Sequence, residues 1–192
     1  DTAVKMQSMT VSGQFNYAMM MSIMGGLIIT APYIFYQIWS FIKPGLKKNE
    51  LRAAKGLVFY VSLCFFLGVL FGYFVVAPLT VQFFGSFQIS PEIENNFTVG
   101  SYMGTVISTV FYTGILFLLP IVSFILTKIG LIGPEFLKKY RRHAIVVILI
   151  ISAVITPPDM LSQIIVSIPI IVLYEIGIVV STRTSKNKNT IE

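Results

Sequence analysis

Glu50 is the residue whose surroundings suggest chemistry. It is the only acid in a stretch that carries Lys43, Lys47, Lys48, Arg52 and Lys55. It follows an aromatic cluster, Tyr36, Trp39 and Phe41, and the helix-breaking pair Pro44-Gly45. Two readings compete. In one, the rings form a belt at the headgroup level, the cations form a positively charged loop, and Glu50 pairs with a neighbour such as Lys47 for about 0–1 kcal/mol. In the other, Glu50 is an anion presented at a membrane surface to bind a cation, with aromatics beside it for an apolar segment. Such a site suits a peptide whose basic residues precede a hydrophobic stretch.

Few other polar groups interrupt the apolar sequence, and each would be costly in hydrocarbon without a partner. Gln37 lies in the aromatic cluster, Asp159 and Gln163 border a turn, and Glu175 stands in the last apolar run. Glu175 precedes Arg183 by eight residues, so it lies about 12 Å deeper along a helix. A hydrogen bond to a neighbouring helix competes there with a partner-helix contact or a protonation-linked role. Asp159, after Pro157-Pro158, could equally cap a helix. His143 is the lone histidine and Cys64 the lone cysteine, so a metal site and an internal disulfide are not expected. No nucleophile with an oriented base, phosphate loop or protease motif is found, which argues against an enzyme and against a cofactor.

The elements that position these residues follow from composition. The 192 residues are 55% hydrophobic and 11% charged, whereas soluble domains carry about a quarter charged residues. Charges are absent from Gln14–Ile42, Gly56–Pro91, Asn95–Thr127, Ala144–Pro158 and Met160–Tyr174. At about 1.5 Å per residue and about 30 Å of hydrocarbon, a span needs roughly 20 apolar residues. The pattern predicts five spans in a single membrane domain, at about 15–40, 57–77, 101–127, 144–155 and 162–181, with Pro32, Pro78 and Pro120 placed to kink or end helices. The last two flank Thr156-Pro157-Pro158-Asp159-Met160-Leu161 and read as a short hairpin, with a re-entrant arrangement as the alternative. Its first arm would rise only about 18 Å, implying a locally thin membrane.

The basic residues punctuate the apolar runs, so the net charge of +6 reflects topology rather than nucleic-acid binding. Lys and Arg cluster at 43–55, 128–142 and 183–188, while the segment 85–100 carries Glu92 and Glu94 without a cation. Positively charged loops stay cytoplasmic. The tail and the loops 43–55 and 128–143 are therefore expected in the cytoplasm, and residues 1–13 and 85–100 outside. An outward start without an apolar leader suggests a preceding helix or a cleaved signal peptide.

The runs APYIFYQIWSFIKPGL at 31–46 with Glu50 and Arg52, GYFVVAPL at 72–79, TPPDMLSQ at 156–163 and IPIIVLYEIGI at 168–178 together resemble the TatC family in order and spacing across essentially the whole chain. The resemblance implies an all-α polytopic membrane protein, with five of six family helices present and the first absent. It implies a signal-peptide receptor and core scaffold of the twin-arginine translocase, which exports folded proteins across the bacterial inner membrane using the proton motive force. In the family the first cytoplasmic loop reads the twin-arginine motif, which maps the glutamate onto Glu50, the aromatic and proline onto Phe41 and Pro44, and flanking basic positions onto Lys48 and Arg52. A second acidic determinant belongs to the family's N-terminal region and has no counterpart here. Gln163 is implied as a contact for the single-span subunits TatA or TatB; further TatC copies and membrane lipid are other implied partners. The family's glutamate before the proline of the fourth helix is replaced by Leu118, so no role transfers to that position. A small-solute transporter or channel is the alternative from another class, and an assembly scaffold without a ligand is a third.

Overall fold

The structure is a computed structural model that describes residues 6–7, 11–45, 56–90, 97–129, 132–156 and 160–189. It is helical almost throughout. Helix α1 runs Gly13–Ile42 and passes into a 3-10 turn at Lys43–Gly45; α2 is Leu57–Phe71, followed by a π turn at Gly72–Val76 and then α3, Ala77–Ser86. Helices α4 (Val99–Leu116) and α5 (Leu119–Ile129) are separated by a turn at Phe117-Leu118; α6 is Pro134–Lys139, α7 Arg141–Ile155 and α8 Met160–Asn189. Among the described residues the extended structure is one parallel pairing of Met6–Gln7 (β1) with Phe97–Thr98 (β2).

Among the described residues, four stretches are long and apolar enough to cross a membrane: Gly13–Ile42, Leu57–Ser86, Val99–Thr127 and Ser162–Arg183. Buried hydroxyls within them find partners on their own helices. Ser62, Thr80 and Thr113 each donate to the carbonyl four residues earlier, which removes the cost of an unsatisfied hydroxyl in hydrocarbon. Helix α7 has 15 residues and so rises only about 22 Å, less than the thickness of a typical hydrocarbon layer.

The prolines act in three ways. Pro32 and Pro169 sit inside continuous helices. Pro120 lacks the N–H that would close the helical ladder, and the chain breaks just before it at Phe117-Leu118, where the Leu118 N–H donates to the Ile115 carbonyl instead. Pro78 neither ends nor breaks its helix. The π turn at Gly72–Val76 takes up the extra residue, and the helix continues to Ser86.

Two packing groups share the broken α4–α5 helix. In the first, α1, α2 and α4 pack together; in the second, α5 and α7 pack on α8. The α2–α4 contact depends on glycine. A Cβ at Gly68 would lie 2.7 Å from the Phe117 Cβ and 2.8 Å from the Gly114 Cα, and one at Gly72 would lie 2.9 Å from the Val110 Cα. Backbone therefore approaches backbone, the arrangement that strengthens dispersion contacts between helices in lipid. The core lies where the groups meet, with Val76 of the π turn, Leu116 at the end of α4, Ile148 of α7, and Val166 and Ile170 of α8. Helix α1 is peripheral: only 6% of its apolar window is buried.

Candidate functional site

Glu50, Lys48 and Arg52 lie outside the described residues, as does Asp159. The other residues proposed for peptide binding are brought to one place, the end of α1. Phe41 is in the last turn of that helix with 85% of its surface exposed. Pro44 follows in the 3-10 turn, also exposed, and the Lys43 N–H donates to the Trp39 carbonyl to close the helix end. Proline prevents the ladder from continuing and leaves an aromatic surface at the point where the chain enters the basic loop. That surface extends up the same helix through Tyr36 and Tyr33, both exposed. The Gln37 amide donates to the Tyr33 Oη at 2.6 Å, so Gln37 satisfies part of its polarity within α1 while remaining on the exposed face.

Gln163 and Glu175 are found elsewhere, along the contact of α7 with α8. The Gln163 Nε2 donates to the Leu149 carbonyl of α7 at 3.1 Å. Glu175 accepts from the Arg141 Nε in an ion pair whose side chains are 34% and 55% exposed. The Tyr174 hydroxyl donates to the Leu137 carbonyl at 2.9 Å, and the Thr127 and Ser181 hydroxyls share a buried hydrogen bond of 2.7 Å. These bonds fasten α5, α6 and α7 to one side of α8. Glu175 thus has its partner on the neighbouring helix α7.

Sequence reasoning did not single out Arg141, Tyr174 or the Thr127–Ser181 pair. Arg141 had a partial signal, because it belongs to the basic cluster before the short hairpin whose second arm carries Glu175, but the neighbouring Arg142 offered the same charge. The hydroxyl pair had none, since Ser and Thr in apolar helices usually bond within their own helix. His143 stacks beside Tyr140, with ring centroids 5.5 Å apart, and no group that could hold a metal ion occurs among the described residues. Phe41 and Pro44 therefore adjoin the loop carrying Glu50, whereas Gln163 and Glu175 belong to a separate seam between helices.

The family described as Sec-independent protein translocase protein (TatC) matches residues 2–169. A Sec-independent protein translocase protein TatC from Blattabacterium sp. subsp. Periplaneta americana is 42% identical over 185 residues, covering 96% of this chain and 70% of its own length. One of the same description from Halothiobacillus neapolitanus is 37% identical and is covered over 48% of its length, and one from Helicobacter pylori strain J99 is 38% identical and covered over 66%. The chain thus spans between about half and about seven-tenths of these relatives. A crystal structure of the twin arginine translocase receptor TatC in DDM superposes with a TM-score of 0.76 at 35% identity, covering 93% of this chain and 79% of that one.

Proposed function

This chain belongs to the TatC family, and from that premise we propose that it is the signal-peptide receptor and core scaffold of a twin-arginine translocase in a bacterial inner membrane. It is a multi-pass membrane component of a protein translocase; the reading goes further in giving it the recognition step. The supporting observation is the juxtaposition at the end of α1, where exposed Phe41 and Pro44 lead directly into the segment holding Lys48, Glu50 and Arg52.

A guanidinium presents a planar fork of donors that a carboxylate accepts in two parallel bonds, which the ammonium of lysine cannot reproduce. Glu50 therefore clamps an arginine of the signal peptide, and Phe41 with its aromatic neighbours receives the apolar part that follows. Lys48 and Arg52 hold the loop's cationic character. A charge-assisted bond of this kind contributes about 1.5–3 kcal/mol when partly desolvated and about 0–1 when exposed. A headgroup interface falls between these limits.

In this reading the loops 43–55 and 128–143 and the tail face the cytoplasm, and residues 1–13 and 85–100 face outward, because the cations concentrate on one set of connections. Gln37, Asp159, Gln163 and Glu175 serve as intramembrane polar or partner-helix contacts, with Gln163 the contact for the single-span subunits TatA or TatB. Further TatC copies complete the complex. The role is binding and transport rather than catalysis, and the proton motive force supplies the energy.

The test is binding of a labelled twin-arginine signal peptide and its twin-lysine variant to the full-length protein, with Glu50→Ala alongside. Tighter binding of the arginine peptide, lost in the variant, is expected. Equal binding of both peptides by the unaltered protein would overturn the receptor role, and intact discrimination in Glu50→Ala would overturn the site alone.

A further inference from the structure

We infer that the corner between α6 and α7 is a binding site for the phosphate headgroup of an anionic phospholipid. Its cations are divided between two tasks. Arg141 turns inward to Glu175 in the one ion pair among the described residues, and the Tyr174 bond to the Leu137 carbonyl together with the buried Leu137 side chain holds α6 against α8. Lys138, Lys139, Arg142 and His143 remain exposed at this anchored corner.

Aromatic rings lie among those cations. Phe136 and Tyr140 are half-exposed and pack with centroids 4.4 Å apart; Tyr140 continues to His143, and the Lys139 Nζ sits 6.0 Å from the Tyr140 ring centroid. Tyr140 both closes α6 and opens α7, since its N–H donates to the Phe136 carbonyl and its own carbonyl accepts from the Ala144 N–H. Lys138 and Lys139 in the last turn of α6 and Arg142 and His143 in the first turn of α7 flank this residue on either side. Amphipathic rings prefer the depth of the headgroups, which sets the cations at the level of lipid phosphates. An unpaired guanidinium and two ammonium groups around a half-exposed aromatic wedge complement an anion whose acyl chains run down the apolar face of α7, where Val146, Val147, Ile150 and Val154 are exposed.

A free oxyanion would satisfy the cations but not the wedge or that apolar face, so the charge and the apolar surface together select a lipid. This inference rests on the membrane placement proposed above. Its test uses nanodiscs with the same lipids in both leaflets, so that the outcome does not depend on which side the corner faces.

The full chain is prepared with Trp39→Phe and Tyr140→Trp, giving a single indole at the corner, and quenching is compared between brominated phosphatidylglycerol and brominated phosphatidylcholine. Preferential quenching by the anionic lipid is expected. A basic residue near a charged membrane surface contributes about fivefold in affinity, so adding Lys138→Gln, Lys139→Gln and Arg142→Gln should weaken the preference roughly tenfold or more. A variant with Lys138→Arg and Lys139→Arg should keep it, which separates loss of charge from loss of fold. Equal quenching by the two lipids, or an undiminished preference in the glutamine variant, overturns the site and leaves the patch to an acidic protein segment. Displacement of the lipid by millimolar inorganic phosphate would also overturn it, by assigning the corner to a soluble anion.

Discussion

A carboxylate among five cations and a carboxylate inside an apolar helix pose different physical problems, and the chain contains both. In the sequence Glu50 stands among five basic residues, so in the proposed receptor role geometry counts for more than field strength. Replacing it with Gln keeps the shape but removes the charge that a guanidinium pairs with. Such a variant should bind a twin-arginine peptide about tenfold more weakly, measured by fluorescence anisotropy, while Glu50→Asp should lose less. Glu175 instead solves its own desolvation problem by pairing with Arg141. Both side chains retain solvent contact, so Arg141→Ala should destabilise the protein by about 1 kcal/mol or less. A thermal melt in detergent that fell by much more would show that the pair is sealed from water in the membrane-embedded protein. That Glu175 needs a partner follows from its setting in the sequence. That the partner is Arg141, 34 residues away, follows only from how α7 packs on α8.

At the scale of elements, hydropathy and charge gaps predict where helices run but not how they end or meet. The break before Pro120 is an expected outcome of a missing donor. Continuation of the helix past Pro78 is not, because it depends on a π turn whose Val76 is fully buried in the core and is held there by tertiary packing. Close approach of α2 to α4 likewise needs Gly68, Gly72 and Gly114 to coincide in space. Gly68→Leu should force those helices apart and cost about 1–3 kcal/mol, as overpacking generally does. Gly26→Leu is the control, since a Cβ there meets nothing within 4 Å. Detergent-solubilised samples followed by thermal unfolding should separate the two, and equal midpoints would remove the close-packing account. The hairpin arm shows the same division: its short length is evident in sequence, but its start at Arg141 rather than Ala144 is seen only in the structure, where the Tyr140 carbonyl accepts from the Ala144 N–H and opens the helix.

For the whole molecule, the broken α4–α5 helix joins a loosely covered group around α1 to a tighter group around α8. The exposed aromatic end of α1 and the polar seam of α7 and α8 are therefore separate places in the molecule. Orientation can be checked directly in a Cys64→Ser background. A cysteine introduced by Ile89→Cys should react with an impermeant thiol reagent in intact cells, whereas one introduced by Lys139→Cys should react only after permeabilisation. The reverse pattern would invert the assigned topology. The sequence by itself determined membership of a helical membrane class, the distribution of charge between connections and the candidate peptide-reading residues, because hydrophobic burial and positively charged loops act through composition and local spacing. Only the tertiary structure decided which polar groups meet, which glycines matter and which cations are left free at the α6–α7 corner. Those outcomes depend on contacts between helices distant in the chain, and no local periodicity encodes them.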